Sequence, residues 1–381
     1  YDCDFIITSP GVPSNSDVIV KAKSLGIKIY SEVEFASWFC KGKIIAITGS
    51  NGKTTTTSLC AHTLNNSGIK TFLAGNIGVA FSEIVLSVKE NEFVALEVSS
   101  FQLDFIDSFK PNYTVILNIT PDHLDRYEND FTKYTLAKIA ISKNQDADDY
   151  LIINYDDPQI ITSNLGSAKK IGFSLKDNKV DLFIENDKFI TKINSVEEVI
   201  CDTNVLQIKG NHNKFNAMAV IAISKLLGIE NKKIENALSS FAGVEHRLEF
   251  VRKLNGVEFV NDSKATNVDS VWYALQSFNN PIRLILGGKD KGNDYKKIEK
   301  LVVDNVVKIY AIGSSADKIV EYFQNKIKVQ KIETFEETVK TAFSEANNGE
   351  VVLLSPACAS FDMFENYEDR GIKFKNIVVN L

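Results

Sequence analysis

The chain has 381 residues, which at about 150 residues per domain allows two or three domains. Its 43 basic and 49 acidic side chains leave a net charge of −6, which excludes a general electrostatic pull toward nucleic acid or anionic membrane. Hydrophobic residues at 44% and charged residues at 24% exclude disorder as the main state. No apolar run nears the ~20 residues that span a bilayer, and Tyr1-Asp2-Cys3-Asp4 lacks the basic region and apolar stretch of a secretory signal. Cys3, Cys40, Cys60, Cys201 and Cys358 are odd in number and far apart, so reduced thiols in a cytoplasmic protein are expected, not a disulfide framework or a zinc cluster.

In chain order, residues 1–41 hold a strand at Phe5–Thr8, the turn Ser9-Pro10-Gly11-Val12-Pro13, a helix near Asp17–Leu25 and a strand at Ile27–Tyr30. That is too little to close a sheet, and reads as the rear half of a nucleotide-binding-type domain. From Lys43, strand Ile44–Thr48 meets Gly49-Ser50-Asn51-Gly52 and a helix from Lys53 toward Ser67, followed by buried-type strands at Phe93–Val98 and Thr114–Ile119. Short runs at Leu151–Asn154, Ile171–Phe173, Asp181–Ile184 and Val205–Ile208 predict an antiparallel excursion, and a helix near Asn213–Leu227 closes the unit. From about Glu245, strands at Val257–Asn261, Arg283–Leu286, Lys308–Ile312 and Glu350–Leu354 alternate with helical patterns at 268–278, 294–304, 315–325 and 335–346. The expected architecture is α/β with mainly parallel sheets, in domains 1–41, 42–243 and 244–381.

The strongest local pattern is Ile44-Ile45-Ala46-Ile47-Thr48-Gly49-Ser50-Asn51-Gly52-Lys53-Thr54. A strand feeds a glycine-containing turn that opens a helix, so backbone N–H groups can converge on phosphate oxygens at a positive helix end. Lys53 would reach the terminal phosphates and Thr54 would offer its hydroxyl to Mg²⁺. Ile47 stands where the general phosphate-loop pattern has its first glycine. Phe93-Val94-Ala95-Leu96-Glu97 is an apolar strand ending in a carboxylate, at the sheet edge where ligands of open α/β folds bind, and suits a metal partner. The next strand runs into Thr120-Pro121-Asp122-His123-Leu124-Asp125-Arg126, delivering His123 among acidic neighbours. Cys358 has no histidine near it in sequence and reads as a buried structural thiol.

Six segments in order resemble the Mur ligase family, the ATP-dependent amide ligases that build the peptide of peptidoglycan. They are Thr48–Thr54, Glu97–Leu103, Asn118–Arg126, Gly210–Asn216, Glu245-His246-Arg247 with Asn261–Asn267, and Leu354–Asp362. The last two resemble the D-glutamate-adding branch. The resemblance implies a three-domain architecture: a partial Rossmann-like N-terminal domain, a central ATPase domain with a phosphate loop, and a Rossmann-like C-terminal domain. It implies that Gly49, Ser50, Asn51, Gly52, Lys53, Thr54, Thr55, Asn213, Asn216, Arg247, Asp262 and Lys264 bind ATP. Thr54, Glu97, His123 and a carbamylated Lys138 would hold magnesium, with two ions expected, and Lys53, Glu97, His123 and Lys138 would be the catalytic set. Ser9, Pro10, Gly11 and Asn76 would hold the UDP-sugar, and His246, Lys291, Ser355 and Phe364 would contact nucleotide or incoming amino acid. From sequence alone Lys138 is an ordinary helix lysine, Asn213 and Asn216 could simply cap the helix they begin, and Phe364 could be a core aromatic.

The implied substrates are ATP, UDP-N-acetylmuramoyl-L-alanine and D-glutamate, acted on by a cytoplasmic monomer. A carboxylate must be activated before an amine can displace oxygen from it, and ATP does this by forming an acyl phosphate. Magnesium and a lysine screen the two anions that must meet, and a mobile C-terminal domain is expected to exclude water. Family members begin with a whole nucleotide-binding-type domain, and residues 1–41 match only its rear half. A piece of a longer protein, with weak or no ligase activity when made alone, is therefore expected. Two rivals remain: another ligase of the superfamily, such as a folylpolyglutamate synthase-like enzyme, and a non-catalytic nucleotide-binding protein.

Overall fold

Strands flanked by helices build three sheets in a computed structural model that describes residues 3–208, 210–290 and 292–381, apart from the side chains of Asp125, Asn194 and Asp269. The chain forms two units, Tyr1–Phe241 and Ala242–Leu381.

In the first unit, β1 (Phe5–Thr8) pairs in parallel with β2 (Lys28–Ser31) across the helix Asp17–Ser24. The main sheet contains β3 (Lys43–Thr48), β4 (Thr71–Gly75), β5 (Phe93–Glu97), β6 (Tyr113–Ile116), β7 (Tyr150–Asn154), β8 (Lys169–Ser174), β9 (Leu182–Glu185), β10 (Lys188–Thr191) and β11 (Glu198–Asp202). Its order is β11-β10-β9-β8-β7-β6-β3-β5-β4. The strands from β4 to β9 are parallel, and β10 and β11 run antiparallel at one edge. The centre of the sheet is read correctly from its apolar runs: β3 is buried from Ile44 onward, and β5 and β6 throughout, as a parallel strand covered on both faces must be.

The antiparallel excursion is smaller than the sequence suggests. Tyr150–Asn154 and Lys169–Ser174 extend the parallel sheet. The run expected as a strand at Val205–Ile208 lies beyond the last strand, with a 3₁₀ turn at Thr203–Val205. The antiparallel pairs are β9–β10 and β10–β11, so the run expected at Asp181–Ile184 enters the excursion as β9, while β10 and β11 alternate polar and apolar residues weakly, with charges at Lys188, Glu198 and Asp202.

Residues 31–38 are anchored to the main sheet's connections by Glu34. Its carboxylate accepts backbone N–H bonds from Asp107 (2.9 Å), Ser108 (3.0 Å) and Phe109 (2.7 Å), and bonds from the Ser108 hydroxyl and the Trp38 indole. Burial pushes its pKa up, but those hydrogen bonds win and leave it below the usual carboxylate value. The depressed value means that the stabilisation is present at neutral pH and fades as acid protonates the group. Glu34→Gln turns one acceptor into a donor facing donors, and is expected to cost about 2–4 kcal/mol, read as a lower urea midpoint for the first unit. An unchanged midpoint would refute the anchor.

The second unit holds β12 (Glu249–Leu254), β13 (Val257–Asn261), β14 (Ile282–Gly287), β15 (Val306–Ile312), β16 (Val329–Lys331) and β17 (Val351–Leu354), in the order β12-β13-β17-β14-β15-β16. All neighbours are parallel except the β12–β13 pair. The four expected strands and four expected helices of this region are present, with β12, β16 and the helix Tyr367–Val379 added.

Candidate active site

The site follows from strand order. β3 lies between β5 and β6, so the chain leaves the sheet in opposite directions on either side of it. In an open α/β sheet, ligands bind at the carboxyl ends of the strands flanking such a switch point. The loop Gly49–Gly52 leaves β3 there, Glu97 ends β5, and Asn118 to Arg126 follow β6.

The loop is held open by its neighbours. Asn118 Oδ1 accepts the backbone N–H of Asn51 at 2.8 Å, and its Nδ2 donates to the Asn51 carbonyl at 3.0 Å. Ser50 Oγ donates to the Thr120 carbonyl, accepts the Thr120 N–H, and lies 2.9 Å from Tyr134 Oη. Gly52 has φ +84°, and a Cβ there would stand 2.5 Å from Asn216 Oδ1. Only glycine fits that approach. Asn216 Nδ2 donates to Asn213 Oδ1 at 2.9 Å in the first turns of the helix Asn211–Leu226, and both side chains are buried. Gly210 occupies the N-cap position of that helix, so neither asparagine does.

Two lysines converge on one carbonyl. Lys53 Nζ donates to the Gly49 and Ser50 carbonyls at 2.8 and 2.9 Å, and Lys138 Nζ donates to the same Gly49 oxygen at 2.8 Å. Lys138 projects from the helix Phe131–Ile139 and is only 2% exposed. Burial pushes its pKa well below the usual lysine value and the nearby Lys53 adds to this, while Asp122 and Glu97 pull the other way. An ordinary surface lysine is therefore excluded.

Glu97 is 2% exposed; its Oε1 accepts Asn76 Nδ2 at 2.9 Å, while its buried Oε2 has no hydrogen-bond partner. A buried, unpaired carboxylate oxygen is costly unless a cation completes it. Thr54 is buried in the first turn of the helix Lys53–Asn66. These oxygen donors fit magnesium, which keeps several waters and takes few protein ligands. His123 lies on the segment that follows β6. Its backbone is left-handed (φ 50°), its ring is half exposed, and its Nε2 lies 3.6 Å from Asp122 Oδ2. Among the described residues no group of three or more His, Cys, Asp or Glu side chains is assembled for a metal.

The family model described as "Mur ligase middle domain" matches residues 47–224, and that described as "Mur ligase, glutamate ligase domain" matches 246–358. The chain is 46% identical to a UDP-N-acetylmuramoylalanine–D-glutamate ligase of Chloroherpeton thalassium, over 100% of this chain and 86% of that protein. It belongs to the Mur ligase family. A protein of the same name from Christiangramia forsetii is 45% identical over 100% of this chain and 86% of its own. The crystal structure of a UDP-N-acetylmuramate–alanine ligase from Thermotoga maritima shares the fold, with a TM-score of 0.67 at 22% identity, covering 100% of this chain and 86% of that one.

Elsewhere in this Mur ligase's first unit, Ser9 and Gly11 are exposed in a turn, Asn76 is tied to Glu97, and Thr55 is buried in the helix after the loop. In the second unit His246 is buried against Asn261, whose Nδ2 lies 3.0 Å from His246 Nδ1. Burial lowers its pKa, against the pull of Glu245 and Glu249. Asp262 is pushed up to about 7 by burial, opposed by Ser355, Arg247, the Leu248 N–H and Arg370. Ser355 is fully buried and donates to Asp262 Oδ2 at 2.7 Å. The pairing of Asn261 with Leu354 brings the residues that follow each of them together. Phe364 packs on Phe335 with ring centres 4.9 Å apart, beside a core cluster. Lys264 lies over the Tyr367 ring, and Lys291 lies outside the described residues. Sequence reading missed Arg370, a buried guanidinium that donates to Ser263 Oγ and to the Ser263 and Cys358 carbonyls. It also missed Asn118 and Tyr134, whose partners lie far away in sequence. The Cys358 thiol is buried and pushed up by burial, as expected of a structural cysteine.

Proposed function

We propose that this Mur ligase joins D-glutamate to UDP-N-acetylmuramoyl-L-alanine at the expense of ATP. The observation that carries this reading is the 46% identity, along the whole chain, to a ligase of that name. The substrate carboxylate attacks the γ-phosphorus, ADP leaves, and the acyl phosphate is opened by the amine of D-glutamate. Phosphate then leaves, and the new amide nitrogen loses its proton.

In this reading the N–H groups of Gly49 to Gly52, with Thr55, surround the phosphates, and Lys53 moves from its own loop's carbonyls to the transferring group. Asn213 and Asn216 flank the nucleotide. Magnesium, as the two ions the resemblance implies, would be held by Thr54 and Glu97, with His123 at the rim, and would offset the charge of two approaching anions. Lys138 can act only if its amine is uncharged, which its burial favours. An uncharged amine can add to CO₂, forming an N–C bond and releasing a proton, and the resulting carbamate would face Lys53 as an anion. Ser9, Pro10, Gly11 and Asn76 hold the UDP-sugar on residues 1–41 and the adjoining rim of the central domain 42–243. In domain 244–381, Arg247, Asp262 and Lys264 serve the nucleotide, while His246, Lys291 and Phe364 serve nucleotide or amino acid and Ser355 supports Asp262. No described helix is long and apolar enough to cross a membrane, and we read the protein as a cytoplasmic monomer.

The test is ADP release with UDP-N-acetylmuramoyl-L-alanine, run with a series of amino acids on this chain and on the chain extended by the front of a relative's first domain. D-Glutamate should stimulate release at least ~10-fold over L-glutamate. Stimulation by another amino acid would point to a sibling ligase, and ATP binding with no acceptor-dependent release to a non-catalytic protein.

A further inference from the structure

The ligase reading gives no role to Arg126, the last residue of the segment that carries His123. Its Nη1 donates to the Pro10 carbonyl at 2.8 Å and its Nη2 to the Val12 carbonyl at 3.0 Å. These carbonyls belong to the turn after β1, which is closed by the Val12 N–H on the Ser9 carbonyl. The guanidinium also lies on the Phe101 ring, 3.9 Å from its centre. Phe101 follows Glu97 by four residues in a turn fixed by a capping box of Ser99 and Gln102, and its ring meets His123 at 5.0 Å between centres. One side chain therefore joins the turn Ser9–Val12, the connection after Glu97 and the segment of His123.

The chemistry asks for arginine. A planar fork can bond two carbonyls two residues apart while its face lies on an aromatic ring, and a lysine ammonium cannot do both. Arg126 Nε is buried with no partner.

We propose that Arg126 is a positioning residue that sets where the turn Ser9–Val12 stands relative to Glu97 and His123. It thereby sets where the carboxylate of the UDP-sugar meets the phosphoryl group. This rests on the reading that the turn holds the UDP-sugar. The test compares Arg126→Lys and Arg126→Met with the unaltered chain, in the form that passes the D-glutamate assay. Four quantities are measured: the KM for UDP-N-acetylmuramoyl-L-alanine, kcat, the Kd for ATP and the melting temperature. The UDP-sugar KM should rise ~10-fold or more and its kcat/KM fall ~10²-fold in both variants, while the Kd for ATP stays within about two-fold. An unchanged UDP-sugar KM overturns the proposal and leaves the ligase reading standing. So does a parallel loss of ATP affinity, which would mark a general loosening. If Met fails to fold, the Lys variant decides alone. An unaltered chain whose ADP release ignores the UDP-sugar overturns both readings.

Discussion

Lys138→Met is expected to abolish most ligase turnover, by ~10²–10³-fold, in a chain that melts no lower than the parent near pH 7 in bicarbonate-free buffer. The two halves of that result separate a catalytic lysine from a structural one. Lys138 is almost wholly buried, and its Nζ donates to a carbonyl it shares with Lys53. Its pKa in the folded chain is depressed by burial and then by Lys53. Between that depressed value and the unfolded value near ~10.4, the unfolded chain binds a proton that the folded chain does not. Stability therefore rises with pH across this window. Methionine has no such dependence, so its advantage should be greatest near neutrality and vanish toward pH ~10. A carbamate would change the balance, so the parent should gain turnover and stability when bicarbonate is added and the variant neither. Equal turnover of the two, with or without bicarbonate, would remove Lys138 from the chemistry.

Glu97→Gln should raise the magnesium concentration needed for half-maximal ADP release at least ~10-fold and lower kcat by ~10²-fold or more. In the parent, one carboxylate oxygen takes Asn76 and the other is buried with no partner. A glutamine can keep the first bond, which turns its amide nitrogen toward the second position. A donor there repels a cation. Because one oxygen of the buried carboxylate has no hydrogen-bond partner, its replacement should leave the melting temperature little changed, so lost turnover could not be blamed on unfolding. The titration is read as ADP release against magnesium at saturating ATP. A parental curve would show that the orphaned oxygen does not meet the ion.

The candidate site was legible where its signal is local. The run from Ile44 to Thr54 carries strand, turn and helix start in consecutive residues, and Glu97 is marked by the apolar strand it ends. Lys138 was not legible from its surroundings in sequence, because its burial comes from folding against a loop far earlier in the chain. The same reason hides Asn118, Tyr134, Arg126 and Arg370, each of which acts on backbone or side chains elsewhere. In the fold, buried parallel strands announced themselves as unbroken apolar runs. Strands β10, β11, β12 and β16, at or next to sheet edges, did not, because charged residues break up their apolar pattern, and the edge strand β4 was missed as a short run with Thr71 and Gly75 at its ends. Ser355 and Phe364 are legible as motif residues only. A motif marks both, but their partners, Asp262 and Phe335, lie far away in sequence and could not be read from it.

The close approach of Gly52 to Asn216 reaches beyond this molecule. Segments 49–54 and 211–216 share a single clearance, so neither can be exchanged alone for a homologous stretch whose partner has shifted. Recombining this chain with its relatives should succeed when both stretches travel from the same parent, and crossovers that separate them should be the ones lost from a library.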